Sequence, residues 1–272
     1  MNNIIKENSK YVPSGRVILG NVLGSRHYGL DDETSDIDAW YLMMPTKNDL
    51  VRGRIPQRLI CTDECDISIF DIRSLLLFIA DGDVNKLGLL FNDRDMYISP
   101  RYQNLVDQLI SRREEIIDKV SPAIHKWARN MFEYKMGHIH YYKKNEEYLK
   151  QYGYNTKNVA QAIYYIRIVV NYFMNRNYSV ENPMLKAYDC SSFRDEILFI
   201  KHGNYSEDEA TAIAEQEYEK LIGLTNLGRS SNYGEIKQII YNEISKVFME
   251  DESIALEKAE AMGQIRKTHF TC

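Results

Sequence analysis

The spacing of apolar positions changes once along the chain, and the change predicts two kinds of architecture. RVILGNVLG is a continuous apolar run rich in β-branched residues that stops at a glycine, the pattern of a buried strand. SDIDAWYLMMP alternates at its start and stops at Pro45, which predicts a second strand. Within LICTDECDISIFDI, the segment CDISIF puts Asp66, Ser68 and Phe70 on one face and Ile67 and Ile69 on the other. Three strands with short connections predict a small mixed sheet.

Beyond residue 71 the spacing turns helical. SLLLFIADGDVNKLGLLF keeps that period with Gly82 interrupting it, and RYQNLVDQLISRREEIIDKV predicts an amphipathic helix burying Leu105, Leu109, Ile116 and Val120. Ser121 followed by Pro122 marks a helix start, from which one long helix is expected to about residue 150. NTKNVAQAIYYIRIVVNYFMNR predicts another, capped by Asn155 or Thr156, with Ala160, Ile163, Ile166, Ile168 and Val170 buried. FRDEILFIKHG closes at Gly203, Ser206 and Glu209 have capping-box spacing, and a last helix covers YGEIKQIIYNEISKVFMED. The expected fold is α+β: an N-terminal α/β core with the mixed sheet over residues 1–110, then an α-helical half over 111–272. No repeat or low-complexity linker separates the halves, so they are expected to pack closely.

Composition narrows the class. The 272 residues, 44% of them hydrophobic, suffice for one large core or two modest ones. No run reaches the roughly 18 apolar residues of a membrane helix, and MNNIIKENSK has no apolar signal core, so a cytoplasmic protein without a membrane partner is expected. Cys61, Cys65, Cys190 and Cys272 form no paired zinc spacing and read as thiols of a reducing compartment. A net charge of -5 argues against coating nucleic acid through bulk electrostatics. It leaves room for a local basic face among Lys126, Arg129, Lys135, Lys143, Lys144, Lys150 and Lys157, with Glu133, Glu146 and Glu147 interspersed.

The chemistry concentrates in GSRHYGLDDETSDID, residues 24–38. Asp36 and Asp38 are separated by Ile37, so on a strand both carboxylates share a face while Ile37 turns inward. Carboxylates so close repel unless a cation sits between them, and hard oxygen donors suit Mg2+ or Mn2+, which complete their coordination with water and substrate phosphates. Gly24 and Ser25 end the preceding strand, where a glycine lets a phosphate approach the backbone and the Ser25 hydroxyl can donate to it. Gly29 relieves the next bend. Asp66 is the third element, on a strand that can lie beside that of Asp38. Asp63, Glu64 and Asp71 compete for its place, but Asp66 begins the alternating run.

Together, GSRHYG, SDID and CDISIFDI resemble the DNA polymerase β nucleotidyltransferase superfamily. The resemblance implies that Gly24 and Ser25 bind the phosphates of an incoming NTP and that Asp36, Asp38 and Asp66 bind two divalent ions, Mg2+ or Mn2+. The chain also resembles a predicted nucleotidyltransferase branch associated with RNA repair, through its GSRxYG-type start, DIRSLLLFIADGDVNKLGLLF, KNVAQAIYYIRIVVNYF and FRDEILFIKHGNYSEDEA. It departs at Gly88, where that branch has a glutamate.

Other residues stay open between roles. Arg26 is placed to reach a phosphate or to form an exposed salt bridge, and His27 to hydrogen-bond locally or to catalyse. Lys157 and Arg167, on the helix that the resemblance highlights, serve either nucleotide phosphates or ordinary surface pairs. Asp31, Asp32 and Glu33 read as loop charge, and Tyr141, Tyr142 and Tyr164 as packing residues rather than base-stacking platforms. The expected activity is transfer of NMP from an NTP, with pyrophosphate release, to a hydroxyl of RNA or a tRNA-like end. A small-molecule or protein acceptor, and a silent nucleotide-binding module, are the alternatives.

Overall fold

A computed structural model describes residues 5, 8–13, 15–33, 35–62, 65–91, 96–141, 146–174, 191–224 and 234–261. Five strands, β1 (Val17–Leu23), β2 (Asp38–Met43), β3 (Gln57–Cys61), β4 (Asp66–Asp71) and β5 (Tyr97–Ile98), form one sheet in the order β3-β4-β2-β1-β5. β2 and β4 run parallel and the other pairs antiparallel, so the sheet is mixed and the fold α+β. The connections of the first half carry α1 (Gly24–His27), α2 (Lys47–Val51), α3 (Ser74–Asp81) and α4 (Val84–Leu87). The rest is helical: α5 (Gln103–Ile110), α6 (Arg113–Lys119), α7 (Ser121–Met136), α8 (Glu146–Tyr152), α9 (Thr156–Met174), α10 (Ser191–Lys201), α11 (Glu207–Ile222) and α12 (Gly234–Ala261).

Strand alternation decides which way the sheet's chemistry faces. Ala39, Tyr41 and Met43 of β2 join Ile67 and Ile69 of β4 in a small cluster on one side. Leu42 belongs to the main core, which runs from Ile18 through α9 to Val247. With a period of two, Asp38 and Trp40 share the face of Leu42 and look toward the helices. Asp66, Ser68 and Phe70 stand in register with Asp38, Trp40 and Leu42 and share that face. Trp40 and Phe70 meet with ring centroids 5.1 Å apart.

Several boundaries differ from the sequence pattern. The helix expected over 101–120 begins as a 3-10 turn, Pro100–Tyr102, and breaks at Ser111 and Arg112, where Arg112 N–H bonds back only three residues to the Leu109 carbonyl. Leu105, Leu109, Ile116 and Val120 are nonetheless all buried. Ser121 does not cap α7: its hydroxyl donates to the Ile117 and Asp118 carbonyls and so closes the end of α6. The long helix expected to about residue 150 stops at Met136, where Gly137 begins a turn, and Asn155 N–H bonds the Ile139 carbonyl at 2.8 Å to turn the chain back. Asn155 caps α9, its side-chain oxygen accepting from Asn158 N–H at 3.0 Å, whereas the Thr156 hydroxyl donates to the Lys201 carbonyl at 2.6 Å. Ser206 and Glu209 form the capping box that their spacing predicts. Gly82 ends α3 with a φ of 62°, and any Cβ there would strike the Ala123–Ile124 backbone of α7.

Candidate functional site

Where β1 ends, Gly24 takes a φ of 67° and begins the single turn α1. The Ser25 carbonyl accepts from the Tyr28 and Leu30 N–H groups, which folds the following loop back on the turn. The register sets Asp38 opposite Leu23, so its carboxylate lies over the next residue, Gly24, in the space a Cβ would occupy. A glycine is therefore required for two reasons, the left-handed backbone and the close carboxylate. One link of sequence to site lies here: the same turn that ends the strand leaves room for the acid.

A cavity of about 290 Å³ opens from this point toward the helical half. Gly24, Ser25, Asp36 and Asp38 line it from the sheet side, and Lys157, Gln161, Tyr164 and Tyr165 from α9. Asp83, Asn85 and Lys86 contribute from the start of α4, and Lys201 from the end of α10. Lys86 is held by Asp83 at 2.8 Å. Lys157 has no ion pair or hydrogen bond among the described residues. The Tyr28 hydroxyl donates to Asn85 Oδ1 at 2.7 Å, and Asn85 Nδ2 donates to the Tyr165 hydroxyl at 3.1 Å, so one wall of the cavity is a fixed polar chain. Burial raises the pKa of Tyr28 well above its ordinary value and that of Tyr165 to about 12, so both hydroxyls stay protonated at neutral pH.

Asp66 is placed beside the cavity rather than in its lining. It pairs with Asp38 across the parallel ladder, and its N–H bonds the Ile37 carbonyl at 2.8 Å. Neighbouring strands are about 4.8 Å apart, which makes the two carboxylates adjacent on one face. Among the described residues, no group of three His, Cys, Asp or Glu side chains converges at ligating distance. Asp36 and Asp38, hard oxygen donors on one cavity wall, fit a divalent cation; a three-carboxylate cage is not assembled.

Other sequence candidates fall elsewhere. Arg26 is turned along its own loop, with Nη1 3.6 Å from Asp31 and Nη2 donating to the Ser35 carbonyl, and it does not line the cavity. Arg167 lies away from this cavity, among acidic partners. Its guanidinium is bound by Glu196 at 2.6 Å and Glu217 at 3.0 Å, lies over the Phe193 ring, and lines a separate cavity of about 360 Å³ with Lys220. Asp71 is excluded as the third acid because it is fully buried and clamped by Arg73 at 2.6 Å; Asp63 and Glu64 lie outside the described residues. Asp32 is more than loop charge, since it binds Lys201 and His202.

His27 does not line the cavity. Its ring is 4% exposed with neither nitrogen hydrogen-bonded among the described residues, and burial lowers its pKa to about 3. A Cβ at Gly88 would sit 3.1 Å from His27 Nε2, so position 88 faces this histidine and not the cavity. Tyr164 is 1% exposed and packs on Tyr28, while Tyr141 is exposed beside His138 and Tyr142 lies outside the described residues. The site residues that sequence reasoning missed are Asn85, Lys86, Gln161 and Lys201. None carries a local signal, because each reaches the cavity through tertiary packing.

No protein-family model matches the sequence, and no curated protein sequence matches it. Among solved structures, the chain is similar to a nucleotidyltransferase-like protein from Exiguobacterium sibiricum 255-15, at 8% identity and a TM-score of 0.31, over 81% of this chain and 76% of that one. No helix among the described residues is long and apolar enough to cross a membrane.

Proposed function

We propose that the protein is a Mg2+-dependent nucleotidyltransferase that moves NMP from an NTP to a hydroxyl acceptor. The observation that carries the reading is the meeting of the Gly24–Ser25 turn, the Asp36 and Asp38 carboxylates and Lys157, unpaired among the described residues, on one cavity. The Ser25 hydroxyl and the turn's backbone N–H groups donate to the triphosphate, and Lys157 offsets its charge. Asp36 and Asp38 would hold the divalent ions, which in this class supply charge stabilisation and lower the pKa of an attacking hydroxyl. Asp66 lies beside Asp38 just outside the cavity lining, and from that edge it would accept the hydroxyl proton of an acceptor bound there. The acceptor oxygen forms a bond to the α-phosphorus, the bond to the bridging oxygen breaks, and pyrophosphate leaves.

The acceptor we favour is an RNA end, tRNA-like ends included, in keeping with the RNA-repair resemblance; a small molecule or a protein side chain is the alternative. Labelled NTPs, Mg2+ and a cellular RNA pool are the test. Label should pass to RNA with the wild-type protein and be lost with Asp36→Asn and with Asp38→Asn. Transfer that persists in both variants would remove the assignment. One observation favours a second reading, a nucleotide-binding module without turnover: the three acids are not gathered around one point. Tight Mg2+–NTP binding without pyrophosphate release across varied acceptors would select it.

A further inference from the structure

Lys201 is a buried cation at this cavity, held by partners from the opposite side. It is 7% exposed and lines the same cavity as Ser25 and Asp36. Its ammonium reaches across to the loop between the Gly24–Ser25 turn and Asp36, contacting Asp32 Oδ2 at 2.6 Å, the Leu30 carbonyl at 3.4 Å and Ser35 Oγ at 3.5 Å. Its backbone carbonyl is held by the Thr156 hydroxyl at 2.6 Å. That bond ties the end of α10 to the start of α9, whose second residue is Lys157. Two ammonium groups are thus presented to one cavity from adjoining helix ends.

Asp32 has a second side-chain neighbour on α10's C-terminal side. His202 Nε2 lies 3.2 Å from the same Oδ2 that receives Lys201, and its side chain is half exposed. An ammonium is a compact charge on a flexible stem, and it exchanges one anion for another with little change of backbone. We infer that Lys201 is a phosphate-binding residue of this site, and that Asp32 and the substrate's phosphates compete for its single ammonium. When phosphate takes Lys201, His202 stays with Asp32 and the loop carrying Asp36 remains anchored. This inference rests on the reading of the cavity as a triphosphate site.

A purely structural lysine predicts something different. If Lys201 only pins the loop, removing either partner of the Lys201–Asp32 pair loosens Asp36 and weakens binding in both cases. If the two anions compete, the signs are opposite. Calorimetry of the full chain with Mg2+ and inorganic tripolyphosphate, a probe without a base, separates these outcomes. Lys201→Met should weaken binding about tenfold or more, whereas Asp32→Asn should tighten it about threefold to tenfold, magnitudes typical of charge-assisted contacts at a partly buried site. The tightening must vanish when Asp32→Asn is made in the Lys201→Met background, because a general loss of negative charge would persist there.

Weakening by Asp32→Asn, no change, or tightening that survives without Lys201 would each overturn the inference. Should Lys201→Met melt, the same pair of single and double variants is made with Lys201→Gln, which removes the charge but keeps a polar donor to the Leu30 carbonyl and Ser35, and the tightening by Asp32→Asn must vanish there too. A wild-type protein that binds neither tripolyphosphate nor any of the common NTPs would instead overturn the triphosphate reading on which the inference stands.

Discussion

Acidification tests the burial of His27 beside the Gly24–Ser25 turn. The ring is 4% exposed, neither nitrogen finds a partner among the described residues, and burial lowers its pKa from 6.5 to about 3. In the unfolded chain the imidazole takes a proton near pH 6.5, whereas in the folded chain it refuses one until about pH 3. The unfolded state therefore binds more protons throughout that window. Stability is full above the upper value and falls as the pH drops toward the lower one. One pH unit is worth about 1.36 kcal/mol, so about pH 5 costs about 2 kcal/mol and the whole window about 5 kcal/mol. Against a total stability of about 5–15 kcal/mol, that one side chain can decide whether the protein stays folded in mild acid. Urea unfolding followed by Trp40 and Trp127 fluorescence, at about pH 7.5 and about pH 5, provides the measurement. The wild type should lose about 2 kcal/mol more than His27→Leu, because the comparison cancels every other titrating group. Equal losses in the two proteins, within about 0.5 kcal/mol, would refute the reasoning.

Two further outcomes test the placement of charges. Asp71→Asn should lower stability by about 3–5 kcal/mol in the same urea assay, because it leaves the buried Arg73 guanidinium without the carboxylate that binds it at 2.6 and 2.9 Å. Arg167→Ala should lower the melting temperature, since among the described residues buried Glu217 would keep only Lys220 at 2.9 Å, yet leave Mg2+–tripolyphosphate affinity unchanged in calorimetry. Weakened tripolyphosphate binding would return Arg167 to the nucleotide site.

The strands that carry the chemistry were legible because they are half-buried and alternate. β4 buries Ile67 and Ile69 on one side and leaves Asp66, Ser68 and Phe70 less buried on the other, which is the division its sequence predicts. β3 was not legible. QRLIC is an edge strand with little burial on either face, so no apolar period marks it. The helix expected over 101–120 shows the opposite failure. Its apolar spacing is helical throughout, and the break at Ser111 and Arg112 leaves Leu105, Leu109, Ile116 and Val120 buried as the spacing predicts, so nothing in the pattern records it.

The site divides along the same line. Gly24, Ser25, Asp36 and Asp38 lie close together in sequence, and their relation is fixed by one turn and one ladder, so a local reading reaches them. Asp66 needs a further fact, the parallel pairing of β2 with β4, which alternation suggests and only the register supplies. The cations need more still. Lys157 and Lys201 are 44 residues apart in number and meet because Thr156 binds the carbonyl of Lys201, a contact between two helix ends that no periodicity encodes. The placement of Arg167 is hidden for the same reason. It shares α9 with Lys157, but ten residues along a helix is about 15 Å, enough to carry it from the cavity wall to the Glu196 and Glu217 pair. A basic residue on a suspected substrate-binding helix is therefore weak evidence of phosphate contact until its acidic neighbours are known. By that criterion Lys157 qualifies and Arg167 does not, and Lys201 qualifies only if Asp32 gives it up.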